Sequence, residues 1–175
     1  MNTANKLTLL RVLMIPAFLV VLYQSFAGHR YVALAIFAAA SLTDFVDGYI
    51  ARHYNQVTDF GKFMDPLADK ILVLAAMLWF VEVGQMPAWC LLLVVTREFA
   101  VTALRLVAVD GGRVIAAGWS GKVKTATTMV AICLMLLPIP AWMNTLCVVL
   151  IVGTTLYSGA EYFMKNKDVL DLKNL

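Results

Sequence analysis

Long uncharged stretches alternate with short clusters of charge along the whole chain. Residues 12–26, 31–43, 71–81, 83–96 and 125–160 contain no Asp, Glu, Lys or Arg. Turn-forming residues separate them: Gly28-His29-Arg30, Asp110-Gly111-Gly112, and Pro138-Ile139-Pro140, which splits the last stretch in two. The stretches hold no period-2 alternation, and lengths near twenty residues suit helices that cross a bilayer. The pattern predicts an all-α membrane protein with six transmembrane helices, Pro16 being tolerated inside the first. Residues 2–11 mix Asn2, Asn5, Lys6 and Arg11 with leucines and predict a separate, short amphipathic helix at the membrane surface. Residues 31–43 are too few to span alone, so the second helix must continue through Asp44 and Asp47.

Composition sharpens this picture. The chain is 62% hydrophobic and 14% charged, with mean hydropathy +0.82, outside the range of soluble domains. Six spans use most of 175 residues, which predicts one membrane domain over residues 1–175 and no soluble or nucleic-acid-binding module. The first apolar run lacks a small-residue cleavage site and reads as a retained span. Three cysteines, Cys90, Cys133 and Cys147, lie in apolar runs without Cys/His spacing, so they read as small buried hydrophobes. Trp79, Trp89, Trp119 and Trp142 fall near the ends of runs and read as a membrane-interface belt.

Charge placement then orients the chain. With six spans, Lys6, Arg11, Arg52, Lys62, Arg113, Lys122 and the tail lysines fall on one side, and Arg30 alone on the other. The positive-inside rule puts both termini on the cytoplasmic side of the membrane. The second, third and fourth helices carry their charges toward that same side, which predicts a polar cavity there.

Residues 44–69 concentrate the chemistry. Asp44 and Asp47 are spaced i, i+3, and Asp65 and Asp69 i, i+4, so a helix puts each pair on one face. A carboxylate at mid-bilayer costs about 2.5–3.5 kcal/mol on insertion scales, so four together need a compensating partner. Hard divalent cations, which take oxygen ligands, are the natural one.

The stretch reads D-x2-D-G-x2-A-R-x8-G-x3-D-x3-D, and this pattern resembles the defining motif of the CDP-alcohol phosphotransferases. N-x2-T-x2-R at Asn5, Thr8 and Arg11, REFAVTALR at 97–105 and GKVKT at 121–125 resemble the bacterial branch that makes phosphatidylglycerol phosphate. The resemblance implies two ions, Mg2+ or Mn2+, held by Asp44, Asp47, Asp65 and Asp69. Asp69 would also serve as the base that takes the acceptor's hydroxyl proton. It implies that CDP-diacylglycerol lies against Asp47, Gly48, Ala51 and Gly61, where missing side chains admit a nucleotide, and that Arg52 pairs with its diphosphate. Asn5, Thr8 and Thr58 would line the same pocket. Family members are commonly homodimers.

Lys62, Arg97, Arg105, Lys122 and Lys124 form a second set of charges. Membrane anchoring explains some of them, but Arg97 lies too deep in its run to snorkel easily. Glu98 and Arg105 are seven apart on one helix face and are expected to pair. Cations converging on a metal-binding cavity point to an anionic acceptor, and the resemblance names glycerol 3-phosphate. Two alternatives stay open: the same transfer to inositol phosphate or serine, and a divalent-cation transporter, which would have no use for the Gly/Ala/Arg pattern.

Overall fold

The computed structural model describes residues 3–53, 59–116 and 118–169, with side chains from Thr8 onward except those of residues 44–53, 59–63 and 65. Among the described residues every regular element is helical: α1 Thr3–Leu22, α2 His29–His53, α3 Asp59–Glu82, α4 Ala88–Asp110, α5 Trp119–Leu136 and α6 Ala141–Lys165, then a 3-10 turn at Lys167–Val169. The all-α expectation holds, and so do the helix boundaries at Gly28, Gly111 and Pro140. Gly28 has φ +88°, a left-handed conformation that glycine adopts without strain.

One expectation is overturned. No separate amphipathic helix precedes the first span, because α1 runs unbroken from Thr3 to Leu22. The only helix breaker in that range is Pro16, which removes one hydrogen bond and leaves the helix continuous. Thr8 and Arg11 are buried, at 1% and 0% exposure, the opposite of a polar face laid on a membrane surface.

Helices of 18 to 25 residues measure about 27–37 Å, close to the thickness of a bilayer core. Among the described residues, Ala141–Lys165 alone is long and apolar enough to cross a membrane by length and composition. The other long helices carry charge within them, as α4 does at Arg97, Glu98 and Arg105.

The chain forms two compact units. The first contains residues 1–83 and 132–139. In it α1 packs on α2 and α3, and α2 on α3. Ile15, Phe18 and Leu22 of α1 and Ala33, Phe37 and Ala40 of α2 recur every three or four residues and are all buried. The alanines let backbones approach, and Phe18 meets Phe37 with ring centroids 5.8 Å apart. Trp79 departs from the belt reading: it is 6% exposed, edge-on to His29, with the Arg30 guanidinium 5.3 Å from its ring centroid. Arg30 also donates from Nη2 to the carbonyl of Met135 at 2.5 Å, in the last turn of α5. Trp89, Trp119 and Trp142 are exposed, as a belt requires.

The second unit contains residues 84–131 and 140–175. Here α4 packs on α6 and on the 3-10 turn. Val101, Leu104 and Tyr162 form its core, with Ile115, Phe163 and Val169 against them. Asn144 donates to the Gln85 carbonyl at 2.7 Å, and Arg113 pairs with Asp168. That hydrogen bond, first among the causes, holds the Asp168 carboxyl below its usual range. All three cysteines are free thiols, with Cys90 and Cys147 buried.

Candidate active site

In the first unit the helical backbone supplies the spacing that the aspartates need. Asp44 and Asp47 lie in α2, and Asp65 and Asp69 in α3. Pro66 sits inside α3 between the latter two, so one backbone hydrogen bond is missing at that turn. Asp69 is half-buried, and its helix neighbours Ala68 and Leu72 are 1% exposed, so α3 is anchored on that side by packing. Thr8 is buried on α1, the helix that packs on both aspartate-bearing helices. Thr58 lies outside the described residues. So do the side chains of Asn5, Asp44, Asp47, Gly48, Ala51, Arg52, Gly61, Lys62 and Asp65. Among the described residues no group of three or more His, Cys, Asp or Glu gathers.

The second unit holds the other cations, and there the side chains can be followed. Lys124 of α5 donates from Nζ to Glu98 Oε1 at 2.8 Å, and Arg97 donates from Nη1 to the same oxygen at 3.0 Å. The three side chains are 7%, 13% and 23% exposed for Lys124, Arg97 and Glu98. One carboxylate thus bridges two cations in a mostly desolvated place, and these three side chains together carry a net charge of +1. Arg105 donates from Nε to the Tyr162 hydroxyl at 3.0 Å, a neutral partner, and among the described residues no carboxylate pairs with it. Lys122 is exposed. Excess buried positive charge is costly unless an anion shares the site.

This geometry corrects the expected pairing of Glu98 with Arg105. Neighbouring residues on a helix point about 100° apart, so sequence spacing favoured the i, i+7 partner. The carboxylate instead reaches Arg97 on its own helix and Lys124 on α5, a contact between helices that no single-helix pattern contains. Lys124 is a buried, paired cation rather than a snorkelling anchor.

Several contributors carried no sequence signal of their own. A Cβ on Gly159 would lie 3.3 Å from Arg97 Cγ, and one on Gly121 would lie 3.6 Å from Arg97 Nη2, so two glycines make room for that side chain. Glu161 accepts hydrogen bonds from Lys165 and Ser120, tying α6 to the start of α5. Tyr162 is distinguished from other aromatics only by its partner. Arg11 was legible as part of a motif, but its complete burial in the aspartate-bearing unit was not.

Comparison with known proteins places the chain in a family. The family model for CDP-alcohol phosphatidyltransferase matches residues 1–157. A Bacillus subtilis protein named CDP-diacylglycerol–glycerol-3-phosphate 3-phosphatidyltransferase is 41% identical, over 99% of both chains. A Mycobacterium tuberculosis protein named probable phosphatidylglycerophosphate synthase is 43% identical, over 92% of this chain and 79% of its own. A Salmonella paratyphi A protein with the same name as the Bacillus one is 38% identical, over 97% and 98%. With the aspartate motif intact and the match running nearly end to end, this chain belongs to the CDP-alcohol phosphatidyltransferase family.

Proposed function

We propose that this protein transfers the phosphatidyl group of CDP-diacylglycerol to glycerol 3-phosphate, giving phosphatidylglycerol phosphate and CMP. The observation that carries the reading is 41% identity along 99% of both chains to a relative named for that reaction. The bridged Arg97–Glu98–Lys124 cluster and Arg105 favour the acceptor, since their excess positive charge suits a phosphomonoester dianion. A neutral acceptor such as serine would leave that charge unmatched.

The donor side of the reading rests on α2 and α3. Asp44, Asp47, Asp65 and Asp69 would hold two divalent ions, Mg2+ or Mn2+. The donor set is all carboxylate oxygen, which suits hard cations, and half-buried Asp69 is neither sealed off nor fully solvated. Bound there, the ions would supply Lewis-acid neutralisation of the diphosphate. Asp47, Gly48, Ala51, Arg52 and Gly61 would take the CDP headgroup, with Asn5, Thr8 and Thr58 beside it. Asp69 takes the proton from the glycerol hydroxyl, which attacks the phosphorus bearing diacylglycerol. That bond forms as the phosphorus–oxygen bond to CMP breaks, and CMP leaves. Lys62, Arg97, Arg105, Lys122 and Lys124 would orient the acceptor's phosphate.

The same proposal sets the chain in the bacterial cytoplasmic membrane as a single domain with six spans. Its termini and aspartates would face the cytoplasm, and it would form a homodimer. The deciding experiment incubates purified protein and CDP-diacylglycerol with glycerol 3-phosphate, inositol phosphate or serine in turn. Phosphatidylglycerol phosphate and CMP should form in equal amounts with the first alone. Turnover with another acceptor only would overturn the assignment. Metal flux into liposomes lacking CDP-diacylglycerol would favour transport instead.

A further inference from the structure

Glu98 is an acid set between two of the second unit's acceptor-side cations, and a carboxylate there should repel the phosphate those cations would bind. Its geometry gives it another task. A single oxygen, Oε1, receives Lys124 Nζ at 2.8 Å and Arg97 Nη1 at 3.0 Å. Two long side chains from different helices are thereby fixed to one point. Left alone, each would spread over many rotamers, and an anion would have to order both on binding. Arg97 is constrained from the other side by Gly159, where a Cβ would stand 3.3 Å from its Cγ, closer than side chains ordinarily approach. The guanidinium therefore lies where it does because of a carboxylate at its tip and an absent side chain along its stem.

We propose that Glu98 is a positioning residue for the acceptor: it locks Arg97 and Lys124 into one preorganised cationic unit, and Gly159 provides the space that lets Arg97 join it. The proposal rests on the reading that these cations bind glycerol 3-phosphate. Glu98 neither touches the acceptor nor takes part in proton transfer. Losing it should weaken acceptor binding even though a repulsive charge goes with it, because two unordered cations bind a dianion less well than two fixed ones.

The test is steady-state kinetics of purified variants in detergent micelles, with both substrates varied. Glu98→Gln should raise the KM for glycerol 3-phosphate about tenfold or more, the loss expected for charge-assisted contacts, while the KM for CDP-diacylglycerol stays within about twofold. Glu98→Asp keeps the charge and should recover most of the loss. Gly159→Ala leaves every charge in place and favours the helix by propensity. The displacement of Arg97 offsets that gain, so the protein should remain folded with a melting temperature changed by only a few degrees, while the acceptor KM rises severalfold. An unchanged or lower acceptor KM in Glu98→Gln overturns the proposal, and so does a uniform loss in kcat and both KM values that Asp does not rescue. If Glu98→Gln does not fold, Gly159→Ala decides: an unchanged acceptor KM overturns the proposal. Arg97→Ala separates this from the reading beneath it. A normal acceptor KM there removes the acceptor assignment itself, whereas a defective Arg97→Ala beside a normal Glu98→Gln removes only the positioning role.

Discussion

On the proposed reading, Asp69 and Arg105 make separable demands on the reaction. If Asp69 is the base, Asp69→Asn should lower kcat about 10²–10⁴-fold, the usual value of a general base, while CDP-diacylglycerol affinity falls less than in Asp44→Asn. A variant with near-normal kcat at neutral pH, or one cured by added Mg2+, would make Asp69 a plain ligand. Arg105→Ala should raise the KM for glycerol 3-phosphate about 10- to 150-fold with little effect on CDP-diacylglycerol, and Arg52→Ala should do the reverse. Tyr162→Phe removes only the partner of Arg105 Nε and should have a smaller effect in the same direction. The four aspartates and the cations stand out in the sequence because each is an expensive residue in an apolar chain. Glu98, Gly159 and Tyr162 do not, because their meaning lies in which helix stands opposite.

At the scale of elements, sequence located the helices well and their environment less well. Breakers at Gly28, Gly111 and Pro140 marked boundaries that the backbone respects. The extension of α2 past Asp47 followed from length alone. The separate N-terminal helix failed because amphipathic composition was given more weight than the absence of any breaker before Pro16. Trp79 was misplaced because a tryptophan at the end of an apolar run looks the same whether lipid or Arg30 covers it. That contact gives a prediction for an element's end. Arg30→Ala removes a cation from the last turn of α5 and a cation–π contact. It should destabilise the protein by roughly 1–3 kcal/mol, read as a lower melting temperature in detergent, with Arg30→Lys recovering part of it. A second prediction concerns the 3-10 turn. Because the folded-state pKa of Asp168 is depressed by Arg113, its contribution is present at neutral pH and disappears as acid protonates the carboxylate, from about pH 5 downward. Asp168→Asn should flatten that part of the stability–pH profile. The pair is exposed, at 51% and 59%, so the effect should be small.

Taken as a whole molecule, the chain should depend on divalent cations for turnover and not for its fold. Excess chelator should abolish transfer from CDP-diacylglycerol, Mg2+ or Mn2+ should restore it, and the helical circular dichroism should stay unchanged throughout. Full turnover in chelator would remove the metals from the reaction. Composition and one motif were enough to reach an all-α transferase of this family. The division into two compact units was not legible, because both halves share the same apolar composition and no linker marks a boundary.

The first of those units joins residues 1–83 to residues 132–139, and Arg30 finds its carbonyl partner at Met135. A ribosome delivers these pieces far apart in time. At about 5–20 residues per second, α1 to α3 wait several seconds before the end of α5 emerges. Through that interval the Arg30 side chain lacks the Met135 carbonyl it reaches in the finished protein, although all of α4 has been made by its end. A nascent chain halted after α4 should therefore show a cysteine introduced beside Arg30 as more reactive to thiol probes than in the finished protein. The same site should close once residue 139 has cleared the exit tunnel. The N-terminal helices are made first, yet their unit is complete only when a segment from the far side of α4 arrives.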